Sequence, residues 1–216
     1  MEKYLGILFD LDGTLLDTAE GVKNAVMLTH KELGMDVPDE ITLHRFVGPP
    51  MQDSFIREYG FSIEKAQRAA DIFRKNYMEK SLYLAVMYPG VLQTLDFLRG
   101  QSYKIGVATY KREDYAINLL KYFGIADYCD VIHGGDNFNL RKKADIVNMC
   151  IDEMKILDRS KVILVGDSEY DAAGAEHAGV SFWGVTYGYG FNDDNYADLY
   201  KAVGWGNSIE EIKRIL

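Results

Sequence analysis

Apolar and polar positions follow two different rhythms along this chain, and the change of rhythm divides it. The run Leu5-Gly-Ile-Leu-Phe9 stops abruptly at Asp10. Apolar runs of about four to eight residues bounded by turn signals form buried strands. From Thr18, an expected N-cap, Val22, Ala25, Val26, Thr29 and Leu33 recur at helical spacing until Gly34. Phe46-Val-Gly-Pro-Pro50 is a rigid break, and Met51 to Tyr59 is a short helix closed by Gly60. Ser62 then caps a longer helix with Ile63, Ala66, Ala70, Phe73 and Tyr77 on one face. Residues 16–84 therefore read as an all-helical unit without strands, inserted just after the first strand.

Beyond it the rhythm alternates. Pro89-Gly90 opens a helix that Gly100 ends, Tyr103 to Thr109 is a strand, and Tyr115, Leu119 and Phe123 mark a helix stopped by Gly124. Asp130 to His133 and Lys161 to Gly166 read as strands, Ala144 to Lys155 and Ala172 to Ala178 as helices, and Ser181 to Thr186 as another strand. A last helix is expected over Ser208 to Ile215. Strands alternating with helices of this length imply βαβ units and a parallel sheet. The fold class is α/β: a doubly wound, Rossmann-like parallel sheet in residues 1–15 and 85–216, with a helical domain in residues 16–84.

Composition narrows the partners. The chain of 216 residues is 48% hydrophobic with a net charge of −9, which opposes nucleic acid or an anionic membrane surface as a partner. No apolar run approaches the ~20 residues that span a bilayer. Cys129 and Cys150 form no CxxC pair, and both read as reduced thiols of a cytoplasmic protein. The histidines (His30, His44, His133, His177) have no zinc spacing, and Gly184, Gly188 and Gly190 do not fit a dinucleotide fingerprint.

The chemistry lies at the strand ends. Asp10 and Asp12 follow the first strand, with Gly13 able to turn the chain at positive φ. Thr109 follows the second, Arg141-Lys142-Lys143-Ala-Asp145 precedes a helix after the third, and Asp167 and Asp171 follow the fourth. Parallel strands present these ends along one edge, where open α/β sheets place ligands. Each alone has a plain explanation: an Asp-Gly turn, a helix cap, a solvated basic face. Their coincidence points to a hard oxygen site suited to Mg²⁺ and phosphate.

These segments resemble the motifs of the haloacid dehalogenase superfamily, whose first motif is Asp-x-Asp-Gly-Thr, matched by Asp10 to Thr14. The resemblance covers essentially the whole chain. It implies a Mg²⁺-dependent phosphatase of a small phosphorylated metabolite, with Asp10 as nucleophile forming an aspartyl-phosphate. Asp12 is then general acid and base, and Thr109 with Tyr110 binds the phosphoryl group. Asp10, Asp12 and Asp167 become metal ligands, with Asp171 supporting. The third motif departs from the pattern Lys-Pro-x-Pro-Asp: strict alignment selects Arg141, spacing in other branches selects Lys143, which is preferred, and Lys142 is a substrate contact. The helical insertion resembles the cap of the subfamily of phosphoglycolate phosphatase and β-phosphoglucomutase, with Arg45 a candidate substrate contact. The resemblance leaves a 5′-nucleotidase, a pyrophosphatase or a phosphomutase as alternatives, and a monomer or homodimer as the assembly. From another class, a phospho-accepting or non-catalytic binding module shares the Asp, Thr and Lys set.

Overall fold

The computed structural model describes residues 4–191 and 200–216. A six-stranded sheet has the order β5-β4-β1-β6-β7-β8. Its strands are β1 (Gly6–Phe9), β4 (Lys104–Arg112), β5 (Val131–Gly135), β6 (Val162–Gly166), β7 (Ser181–Val185) and β8 (Gly204–Gly206). Every pairing is parallel, with β1 central: Leu8 lies opposite Gly106 on one side and Leu164 on the other. Ile7, Leu8 and Phe9 are fully buried, because helices cover both faces of such a sheet and leave its middle strand no solvated side. Chain order reverses at β1, which creates the crevice where doubly wound folds bind ligands.

Helices α5 (Val91–Gly100), α6 (Glu113–Tyr122), α7 (Lys143–Met154) and α8 (Glu169–Ala178) connect these strands. Ile146, Val147, Cys150, Ile151 and Met154 form the buried stripe of α7 and join a core with Leu8, Val131 and Leu164. Each such aliphatic side chain contributes roughly 1.5–3 kcal/mol by leaving water.

The chain divides into two compact units, Met1–Leu16 with Met87–Leu216, and Asp17–Val86. The second contains α1 (Ala19–Glu32), α2 (Glu40–His44), α3 (Met51–Tyr59) and α4 (Ile63–Asn76), the last running into a π-helical turn over Tyr77–Ser81. The segments β2 (Leu16–Asp17) and β3 (Val86–Met87) pair as a short ribbon. The helical unit is built on aromatic rings. Phe55 stacks on Phe61 at 5.8 Å, and Phe46 meets Phe55 edge-on at 5.1 Å. His30, fully buried among them, has Nδ1 2.8 Å from the Val26 carbonyl and Nε2 2.8 Å from the Tyr59 hydroxyl. Nδ1 therefore donates and Nε2 accepts, and burial holds the imidazole pKa below its ordinary value.

Five local readings change. The stretch 16–84, read as free of strands, begins in one: Leu16–Asp17 pairs with Val86–Met87. Thr18 sits at the N-cap of α1 without a side-chain cap bond; the Asp17 carboxylate accepts from the Ala19 N–H instead, at 3.1 Å. Strand β4 runs past Thr109 to Arg112, with a register shift against β5 between those residues. Edge strand β8 was not expected, because Gly-Trp-Gly carries no alternation; it is fixed by packing. A Cβ on Gly204 would lie 2.3 Å from the Trp183 ring, and one on Gly184 2.0 Å from that of Trp205. The last helix is a 3₁₀ segment, Ile209–Arg214.

Candidate active site

Asp10 immediately follows β1 and extends its ladder by one bond, its N–H donating to the Val165 carbonyl at 2.9 Å. Gly13, at φ +83°, turns the chain away. It is also a steric requirement, since a Cβ there would stand 2.3 Å from Asp167 Oδ2. At the end of β6, Asp167 is 2% exposed and Asp171, in the first turn of α8, 1%. Asp10, Asp167 and Asp171 each offer a carboxylate oxygen within 4.8 Å of the others.

One ammonium enters this group. Lys143, the first residue of α7 and 3% exposed, places Nζ 2.6 Å from Asp10 Oδ1 and 2.6 Å from Asp171 Oδ1. Two features hold it there. The Tyr110 hydroxyl accepts the Lys143 backbone N–H at 3.0 Å, and Gly174 of α8 clears room for its stem, where a Cβ would stand 2.4 Å from Lys143 Cγ. Asp171 Oδ2 accepts from the Ser168 N–H at 3.0 Å and hydroxyl at 2.6 Å, which ties the start of α8 to the cluster.

Asp167 is oriented from three sides. The Thr14 hydroxyl donates to Oδ1 at 3.3 Å, and the backbone N–H groups of Tyr189 and Gly190 donate to Oδ2 at 2.7 and 3.3 Å. The Tyr187 hydroxyl donates to the Thr14 carbonyl at 2.8 Å, pinning that turn. Cβ atoms on Gly188 and Gly166 would stand 2.3 Å from Asp167 Oδ2 and Asp171 Cγ respectively. Thr14, Gly174 and the Gly188-Tyr-Gly190 loop have no site role in the sequence reading. The dense glycine spacing after β7 was the available signal.

Three adjoining carboxylates, two of them on a single ammonium, make an unbalanced arrangement, and the ionisation follows from it. Burial pushes the Asp10 carboxyl up to about 7; Lys143 opposes that shift, and the charges of Asp171 and Asp12 add to it. Asp167 lies well above the carboxylate range through burial, then the charges of Asp171 and Asp10, against which the Tyr189 and Gly190 N–H groups work. Burial disfavours the Lys143 ammonium, yet Asp10 and Asp171 outweigh it and hold its pKa above the ordinary value. The donor set is all carboxylate oxygen and short of positive charge, so Asp10, Asp167 and Asp171 fit a divalent cation.

The remaining candidates divide. Asp12 lies beside the cluster as the partner of Lys111, Nζ to Oδ1 3.0 Å. Thr109 is 1% exposed, and its Oγ1 accepts from the Lys111 N–H at 3.2 Å. Lys142 is exposed at the start of α7, its N–H donating to Asp145. Arg141 is bound to Glu113 at 3.2 Å and the Gly134 carbonyl at 3.1 Å. Of the three basic residues, Lys143 is the one that reaches the carboxylates. Arg45, in the helical unit, C-caps α2 and pairs with Glu58 at 3.4 Å.

A parallel sheet with buried acids and a lysine gathered beyond the carboxyl ends of its strands defines a doubly wound α/β fold with its site at the point where the strand order reverses. The family model described as haloacid dehalogenase-like hydrolase matches residues 7–185, and the chain belongs to that family. It is 32% identical to a 5′-nucleotidase of Pseudomonas aeruginosa over 89% of this chain and 87% of that protein. To a phosphoglycolate phosphatase of Aquifex aeolicus it is 30% identical over 85% of each. The crystal structure of a predicted phosphatase from Clostridium acetobutylicum superposes with a TM-score of 0.90 at 32% identity, covering 99% of this chain and 98% of that one. Among the described residues no helix is long and apolar enough to cross a membrane.

Proposed function

We propose that the chain is a Mg²⁺-dependent phosphomonoester hydrolase of a small phosphorylated metabolite, working through an aspartyl-phosphate on Asp10. The observation that carries this reading is the charge arrangement: Lys143 Nζ lies 2.6 Å from both Asp10 and Asp171, with the Asp167 carboxylate adjoining them. Asp10, Asp167 and the Asp12 carbonyl, with Asp171 supporting, would hold Mg²⁺, which would supply the positive charge that makes attack of one anion on another feasible. An Asp10 oxygen forms a bond to phosphorus as the ester P–O bond breaks, and Asp12 gives its proton to the departing oxygen. Asp12 then takes a proton from water, whose oxygen attacks phosphorus while the bond to Asp10 breaks and inorganic phosphate leaves. Thr109 and Tyr110 hold the phosphoryl oxygens, and Lys143 neutralises charge on Asp10.

The relatives support a phosphate ester as substrate, since the named activities of the Pseudomonas and Aquifex proteins both release phosphate from one. The test is phosphate release from phosphoglycolate, nucleoside monophosphates, sugar phosphates and pyrophosphate, with Mg²⁺ and with EDTA. Metal-dependent release that Asp10→Asn abolishes is the expected result. Full activity in Asp10→Asn would sink the mechanism, and isomerised product without free phosphate would move the assignment to a mutase.

A further inference from the structure

Lys111, the buried ion-pair partner of Asp12, has no place in the mechanism above. The ammonium and carboxylate lie 3.0 Å apart, with side chains only 6% and 11% exposed. An ion pair buried this deeply adds little to stability compared with an apolar pair of the same volume, so stability does not account for it. The backbone is shaped to present it. The register of β4 against β5 shifts between Thr109 and Arg112, so that Tyr110 and Lys111 occupy the irregular stretch, and such bulges re-aim side chains. Thr109 and Lys111 are two residues apart and are linked by the 3.2 Å bond from the Lys111 N–H to Thr109 Oγ1.

The neighbouring cations are committed elsewhere. Arg112 forks onto Asp114 at 2.6 and 2.7 Å and lies 3.9 Å over the Tyr115 ring; Arg141 is held by Glu113 and Gly134. Lys143 serves Asp10, the nucleophile side of the reaction. Lys111 instead sits on Asp12, the group that faces the departing oxygen. A second ammonium on the leaving-group side has a chemical consequence that the phosphoryl group itself does not require.

Resting on the phosphohydrolase reading, we propose that Lys111 is a specificity-determining residue that receives a second anionic group, carboxylate or phosphate, carried by the leaving alcohol. The preferred substrates are then small phosphomonoesters with a second negative charge a few bonds from the scissile oxygen. An ammonium has three donors, so it can take an anionic oxygen of the substrate while staying beside Asp12. The same contact sets the leaving oxygen against the Asp12 carboxyl.

The experiment compares kcat/KM for phosphoglycolate, ethylene glycol bisphosphate and the neutral analogue 2-hydroxyethyl phosphate, in Mg²⁺. Wild type should favour a charged ester over the neutral one by about tenfold or more, the scale of a charge-assisted hydrogen bond. Lys111→Met should erase that preference, mainly through KM of the charged ester, and Lys111→Arg should restore part of it. Which charged ester is better distinguishes carboxylate from phosphate. Wild-type values within threefold for all three esters, or a Lys111→Met loss equal on charged and neutral esters, would overturn the proposal and leave the hydrolase reading standing. Hydrolysis of none of the three, nor of the wider panel, would remove both. The wild-type comparison decides even if a variant fails to fold.

Discussion

Two regions of this molecule bury polar groups, and they do so in opposite ways. In the helical unit, His30 lies at zero exposure with both ring nitrogens partnered, inside a shell of Phe46, Phe55 and Tyr59. Neither nitrogen of His30 is left without a partner. At the strand ends of the sheet, Asp10, Asp167 and Asp171 are also buried, but one lysine pairs with only Asp10 and Asp171, and glycines are required at Gly13, Gly166, Gly174 and Gly188 to let the groups approach. A buried set of carboxylates short of counter-charge is a candidate for where chemistry is done. In such a set, stability is given up for function.

Several changes would sharpen or break that contrast. The largest effect is expected from Asp10→Asn, which should lower kcat by on the order of 10³-fold or more, as loss of a nucleophile does, while the protein stays folded by circular dichroism. In the aromatic shell the opposite holds: Phe55→Ala should cost about 3–5 kcal/mol of stability through the cavity it leaves, read by denaturant unfolding. Asp167→Asn separates the two principles. It should raise the melting temperature of the EDTA-treated protein by removing one of the mutually repelling carboxylates, and abolish the further rise that Mg²⁺ gives wild type. A lower melting temperature in EDTA would mean that the cluster is not electrostatically overloaded.

The smallest effect is in pH, where the two regions should tilt in opposite directions. Asp10 in the folded protein titrates near 7, raised from 3.8 by burial. The metal-free sheet unit therefore binds protons that the unfolded chain has released, and its stability should fall as pH rises from about 4 through about 7. His30 is depressed below 6.5, so its contribution is intact above that value and is lost as pH falls below it through the folded pKa. Trp183 and Trp205 both lie in the sheet unit, so tryptophan fluorescence in EDTA follows the first trend. Far-ultraviolet circular dichroism at pH 5 to 7 includes the second. A sheet unit that gains stability with rising pH in EDTA contradicts the overloaded-cluster account.

Much of this was legible along the chain. Strict apolar runs ending in Asp10 and Gly166 reveal strand ends, because a strand buried on both faces leaves no polar residue until it emerges. Helical periodicity marks the insertion for the same reason. Other features were not legible. Strand β8 depends on two indole rings each lying on the other's facing glycine, a contact between residues about twenty apart. Thr18 makes no side-chain cap bond to Gly21, whose N–H donates instead to the Leu84 carbonyl at 3.1 Å, a contact far along the chain that no local pattern records.

The sequence by itself determined the parallel sheet, the helical insertion and the carboxylates at the strand ends, since local periodicity and turn chemistry suffice for these. Only the tertiary structure decided which of Arg141, Lys142 and Lys143 enters the cluster, that Tyr189 and Gly190 hold Asp167 through their backbone, and that Lys111 stands on Asp12. Each of these depends on where a helix start or a bulge lies relative to a distant strand. Such distances are set by packing across the sheet, which no local pattern records.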